Sequence, residues 1–217
     1  MKTTKPWILA VVLLCCPMTL LAQIPAEVMD VMNKCEAKMD NPAGLEMDAT
    51  IRAKMLIFSA GGTMKSYMKG DKSKDVMSMK AMGVETYEES GFDGTLDWSY
   101  KKATTKKERD SLIIQNADKK SKDESSIDLE IYKEYKNAKM KISGKYYEIT
   151  FTGPLKKETP KKTIIKIDKD NYNFREAWTK VGPASMRVTI TRIKIGVSDD
   201  VFKFDPKKYP NAVVVRK

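Results

Sequence analysis

Between positions 45 and 57 the chain alternates without a break. Leu45, Met47, Ala49, Ile51, Ala53, Met55 and Ile57 take every second place, with Glu46, Asp48, Thr50, Arg52 and Lys54 between them. In an extended chain, successive side chains point to opposite faces, so this period of two predicts a long strand with one apolar face. A helix would scatter the same residues around its cylinder. One strand cannot bury such a face by itself, so the segment commits the chain to a sheet of several strands.

The same pattern recurs downstream. Met64, Ser66 and Met68 alternate with lysines and Tyr67, and strands are predicted over 75–82, 84–87, 96–100, 139–143, 146–151, 163–167, 174–180, 186–195 and 201–204. Turn chemistry separates most of them: Ala60-Gly61-Gly62, Phe92-Asp93-Gly94, Ser143-Gly144-Lys145 and Asp168-Lys169-Asp170-Asn171. Ten or so strands with short connections predict an antiparallel meander, and neither a βαβ rhythm nor an internal repeat is seen.

Helical spacing is found in two places. Val28, Met32, Cys35 and Met39 form one apolar stripe over 25–39, with Pro25 in the first turn and Asp40-Asn41-Pro42-Ala43-Gly44 as the stop. Ile127, Ile131 and Tyr135 predict a second helix over 127–135. Residues 101–126 are polar around the patch Leu112-Ile113-Ile114 and read as a long mobile or functional loop.

Residues 1–22 have the layout of a signal peptide: Lys2 and Lys5, an apolar run from Trp7 to Cys16, the break at Pro17 and a small residue at Ala22. The run is shorter than the roughly 20 residues of a membrane span. A lipoprotein signal at Cys15 or Cys16 is the rival, although Leu14 precedes Cys15 where a small residue is usual. The expected layout is a cleaved leader and a single domain over 23–217, exported to the periplasm. Cleavage lowers the formal charge from 40 − 29 = +11 to 38 − 29 = +9. Such a basic surface in that compartment fits anionic lipid and transient membrane contact; nucleic acid is not expected.

The chain has no histidine and three cysteines, which removes His-based catalysis, His-ligated metals and four-thiolate zinc. Cys35, the one cysteine left after cleavage, reads as a small buried group; an intermolecular disulfide is the alternative. No nucleophile elbow, Walker loop or dinucleotide turn is present. Asp168-x-Asp170-Asn171-x-Asn173 has Tyr172 where a calcium loop needs its third ligand, and reads as a turn. Glu85, Glu88 and Glu89 read as a solvated face before a glycosidase pair. The expectation is a non-enzyme with no metal or organic cofactor. Eight methionines lie between Met39 and Met82. Singly they are adaptable core filler; together they also suit a cavity for variable apolar ligands.

The layout then resembles the LolA/LolB-like superfamily of periplasmic lipoprotein carriers. The likeness is carried by the order of signal peptide, amphipathic helix and long alternating strands. It is carried too by the segment Asp93-Gly94-Thr95-Leu96-Asp97-Trp98-Ser99-Tyr100, by Gly153-Pro154-Leu155-Lys156, and by Phe202-Lys203-Phe204-Asp205-Pro206 followed by Val213-Val214-Val215. One departure is Lys69-Gly70-Asp71, where bacterial carriers of the family have Arg-Pro; the lid role is then expected of the stretch from Asp110 to Tyr135. The resemblance implies an α+β fold: a strongly curved antiparallel sheet forming an incomplete barrel, its concave face covered by helices. It implies a monomeric carrier of lipoprotein acyl chains or lipid, working with inner- and outer-membrane transfer partners. The alternative is a non-catalytic envelope sensor or scaffold that binds a protein or peptide. Expected cavity residues, chosen from the inferred inward faces, are Met47, Ile51, Met55, Met77, Met79, Trp98, Ile149, Phe151, Ile165 and Ile167; the opposing expectation is that they fill a solid core.

Overall fold

The structure is a computed structural model that describes residues 24–105, 107–116 and 129–216. The expected signal peptide, and Ile127 of the expected second helix, lie outside the described residues. The long alternation forms β1 (Leu45–Met55), which pairs antiparallel with β2 (Phe58–Lys69) on one side and β11 (Ala184–Ile195) on the other. Leu45, Met47, Ala49 and Ile51 are buried on one face, as the period of two requires.

The other strands are β3 (Lys72–Ala81), β4 (Val84–Phe92), β5 (Leu96–Lys101), β6 (Ser111–Asn116), β7 (Tyr135–Ser143), β8 (Tyr146–Pro154), β9 (Lys162–Asp168), β10 (Phe174–Val181) and β12 (Val213–Arg216). They form one 12-stranded sheet in the order β12-β6-β5-β4-β3-β2-β1-β11-β10-β9-β8-β7. All described pairings are antiparallel except β12 with β6. The sheet is open, with β12 and β7 at its edges, and fits an incomplete barrel.

The helix α1 (Ala26–Met39) lies on one face. Its buried residues Val28, Val31, Met32, Cys35 and Met39 pack with Leu45, Met47, Ala49, Ile149, Phe151, Ile165, Ile167, Phe174 and Ile190. In β11 the apolar parity would fail between Ile190 and Ile193. A bulge between the partners of Asp48 and Ala49 absorbs Thr191, whose hydroxyl donates to the Asp48 carbonyl at 3.1 Å, and both isoleucines then face α1.

Several boundaries differ from the sequence expectations. β1 ends at Met55, because Met55 pairs with Phe58 and Leu56-Ile57 is the two-residue turn. No turn residue marks that place. Ala60-Gly61-Gly62 is not a turn but runs within β2; a Cβ on Gly62 would lie 2.1 Å from the Ser78 carbonyl oxygen. The patch at Leu112 is strand β6 within the expected loop. The expected helix over 127–135 is a 3₁₀ turn, Leu129–Glu134, and Tyr135 already begins β7. Residues 201–204 are not a strand; a 3₁₀ turn, Asp199–Val201, passes into a segment that crosses the face opposite α1.

Candidate functional site

Residues paired across a ladder share a face, so the register places each expected cavity residue. Met47, Ile149, Phe151, Ile165 and Ile167 lie in the buried cluster under α1, and Ile51 is buried just beyond it. Past Ile51 the same face opens. Ala53 pairs with Ala60, and Met55 with Phe58. Met64 pairs with Met77, while Gly62 faces Met79. On the other flank Ile51 pairs with Val188 and Ala53 with Met186. Met77 and Met79 are half-buried; Met55, Phe58 and Met186 are exposed.

This strip is soft and shallow. A Cβ at Gly62 would fall 2.5 Å from the Met79 sulfur, so the thioether lies over the glycine where any side chain would displace it. Its polar boundary is Asp75, which accepts a hydrogen bond from the Ser66 hydroxyl directly across the ladder. Burial pushes the Asp75 carboxyl up, and the Ser66 bond opposes that shift.

Met55 ends this strip at the solvent-exposed hairpin. One expected residue falls elsewhere. Trp98 pairs with Gly91 and Ile114, and that row faces away from α1. It belongs to a second buried cluster with Leu112, Ile114 and Tyr209, flanked by Leu96, Tyr100 and Phe204. The ten residues therefore do not form one surface.

The second face also holds a pocket of about 480 Å³ lined by Tyr87, Tyr100, Tyr209, Glu85, Glu89, Lys102 and Lys208 among others. Buried Glu89 is paired with Lys74 at 2.7 Å and accepts from the Tyr87 hydroxyl at 3.1 Å. Tyr100 donates to Asp110 at 2.6 Å, and desolvation first, then Asp110, pushes its phenol up to about 12. Tyr100 and Tyr209 stack with ring centroids 4.6 Å apart. The sequence reading missed this pocket. Its one local signal is that Tyr87 and Glu89, like Trp98 and Tyr100, share strand parity; the partner segment carrying Tyr209 is far away in the chain. Glu88 faces the other way and pairs with Lys101 at 3.2 Å, so Glu85, Glu88 and Glu89 do not converge. Asp168 accepts from the Asp170 amide at 3.0 Å, a turn as expected. Among the described residues, no group of three or more His, Cys, Asp and Glu side chains could hold a metal ion.

No family model matches the sequence, and comparison with curated proteins finds no match. Among solved structures, an uncharacterized conserved protein from Thermus thermophilus superposes with a TM-score of 0.54 at 10% identity, covering 88% of this chain and 99% of that one. LprF from Mycobacterium bovis follows at 0.48 and 10%, covering 80% and 96%. A LolA superfamily protein from Nitrosomonas europaea gives 0.40 and 11%, covering 82% and 97%. The chain shares the fold of the Thermus thermophilus protein. At a tenth identity the likeness is one of fold alone.

Proposed function

We propose that the protein is a non-catalytic periplasmic carrier that holds an acyl chain of a lipoprotein or lipid on the α1 face of the sheet, for transfer toward the outer membrane. In this reading residues 1–22 are a cleaved leader, 23–217 are the working monomer, and transfer partners stand at both membranes. The observation that carries the proposal is the strip beyond Ile51, where Met55, Phe58, Met77, Met79 and Met186 continue the core face without burial by α1. An acyl chain laid there gains about 0.8 kcal/mol per CH₂ removed from water. Met77 and Met79 can adapt to chains of differing shape. Among the described residues no helix is long and apolar enough to cross a membrane.

Native mass spectrometry of the protein purified from its own envelope tests this. A bound lipid or lipopeptide mass is expected. A bare protein that also takes up no fluorescent acyl probe would end the carrier reading.

One observation favours a second reading, a scaffold for an extended peptide. Edge strand β12 presents exposed Val213, Val214 and Val215 and pairs on one side only. An edge of that kind can take another strand.

A further inference from the structure

At one end of the sheet three hairpins turn in apolar residues that solvent reaches. Leu56 and Ile57, between β1 and β2, are 86% and 96% exposed, and Met82, between β3 and β4, is 80% exposed. Val181, the last residue of β10, and Pro183, in the Gly182-Pro183 turn to β11, are also exposed. Such side chains are normally found singly on a soluble surface, and a group of them at one end marks a contact.

The last cross-strand row behind these tips, on the face opposite α1, can be read from the register. Ser59 pairs with Lys54, Lys54 with Ser185, Ser185 with Lys180, and Lys180 with Lys162. Five strands thus present hydroxyl, ammonium, hydroxyl, ammonium, ammonium, and no carboxylate. Acids are absent from 52–60 and from 177–186 altogether. Lysines further along the sheet are neutralised, as Lys65 is by Glu46 and Asp48, and Lys166 by Glu176. Lys54 and Lys180 have no carboxylate within ion-pair distance among the described residues; Lys162 lies 6.0 Å over the Trp178 ring. Between the two hairpins is a cleft of about 650 Å³ lined by Lys54, Lys180, Ser59, Ser185 and Trp178, with Leu56 and Ile57 at its lip.

We propose that this end of the sheet is a membrane-docking surface, on which the Ser59–Lys54–Ser185–Lys180–Lys162 row receives the phosphates of anionic phospholipids while Leu56 and Ile57 enter the bilayer interface. The dimensions agree. Leu56 lies two residues past Lys54 and Ile57 two residues before Ser59, so the turn stands about 7 Å beyond the row, and interfacial apolar groups sit about 5–10 Å deep. Ammonium and hydroxyl donors suit phosphate oxygens, and Trp178 suits the headgroup level. The α1-face strip opens at the same end, so a docked protein would present it to the bilayer. The inference deepens the carrier reading, but its test is separate.

Purified protein is sedimented with phosphatidylglycerol–phosphatidylcholine vesicles and with pure phosphatidylcholine vesicles. Preference for the anionic vesicles, weakened by salt, is expected. Leu56→Ser with Ile57→Ser should lower partition on the order of tenfold, and Lys54→Gln with Lys180→Gln should lower it about tenfold on anionic vesicles only. Ile195→Ser, an exposed site at the far end of β11, should change nothing. All five positions are at the surface, and melting curves confirm that each variant is folded. Equal binding to both vesicle types overturns the proposal, as does an Ile195→Ser effect matching that of the tip pair. So does tight binding of inorganic phosphate without vesicle binding, which would make the row a free-anion site. Acyl-probe uptake is measured in parallel: tip variants that lose partition but keep uptake support docking, and loss of uptake alone would count against the strip rather than the tips.

Discussion

A carboxylate placed at two depths on the α1 face should separate packed core from binding surface. Phe151 is fully buried beneath α1, its ring 5.7 Å from that of Tyr135. Removing such a ring costs about 3–5 kcal/mol. An ionised carboxylate in its place would lie among Ala138, Ile149 and Ile165 and would add a desolvation penalty on top. Against a total stability of about 5–15 kcal/mol, Phe151→Glu should leave the chain unfolded or melting near ambient temperature. Met79 is half-buried over Gly62, and a glutamate there can turn its carboxylate to water. The loss is then about 1 kcal/mol, a fall of roughly 2–4 °C in Tm for a domain of this size. Binding should show the reverse emphasis. An acyl chain over position 79 must desolvate the carboxylate or lie beside water, and a penalty of about 2.7 kcal/mol weakens binding a hundredfold. Thermal unfolding by circular dichroism and titration with a fluorescent acyl probe measure the two quantities on one preparation. The reasoning fails if folded Met79→Glu binds the probe as wild type does, or if Met79→Glu destabilises as much as Phe151→Glu.

Three further outcomes are expected. Asp75 has a folded-state carboxyl pushed up by burial, so its contribution to stability is full below the unfolded value near 3.9 and is lost as pH rises through the folded value; Asp75→Asn should melt higher than wild type at pH 7, with the gain gone at pH 3. Leu112→Ala, in the second cluster, should cost about 2–5 kcal/mol in urea titration and speed hydrogen exchange of the β12 amides, while leaving acyl uptake intact. The Cys35 thiol is pushed up to about 12 by burial, so peptide mapping should find it unlabelled by maleimide at pH 8 until the protein is unfolded.

Where side-chain parity alone decided the structure, the sequence was readable. β1 as far as Met55 and the apolar stripe of α1 are as expected, with Val31 added beside Val28, Met32, Cys35 and Met39. Strands were missed where their local chemistry contradicted their place. Met55-Leu56-Ile57-Phe58 contains no turn former, yet it turns, because the pairing of Met55 with Phe58 is set by the sheet on both sides of it. Ala60-Gly61-Gly62 has turn composition, yet it is strand, because the Ser78 carbonyl approaches Gly62 too closely for a Cβ. Trp98 could not be assigned a face from its own strand. Counting parity from β1 to β5 requires the register of four ladders, and the cover over Trp98 comes from Phe204 and Tyr209, about a hundred positions away. The donor row of Ser59, Lys54, Ser185, Lys180 and Lys162 was hidden for the same reason: it is written across five strands.

The open sheet explains why exposed apolar side chains and lysines without acid partners gather at one end. The apolar rows on its α1 face and on the β4–β6 flank of the opposite face must be covered, and the covers are unequal. α1, a 14-residue helix, spans only about 21 Å and reaches the end of the sheet marked by Leu45, Met68 and Ile193. On the opposite face the C-terminal segment covers the β4–β6 flank through Phe204 and Tyr209. Neither cover is packed on the ends of the β1–β2 and β10–β11 hairpins, and it is there that the apolar parity persists without burial and the lysines stand without acids. A residue such as Leu56 at 86% exposure adds nothing to folding. Its neighbours carry no charge that would make the tip merely soluble. The simplest physical account is that another apolar phase completes the burial, and the donor-only row just behind the tip identifies that phase as one bordered by anions.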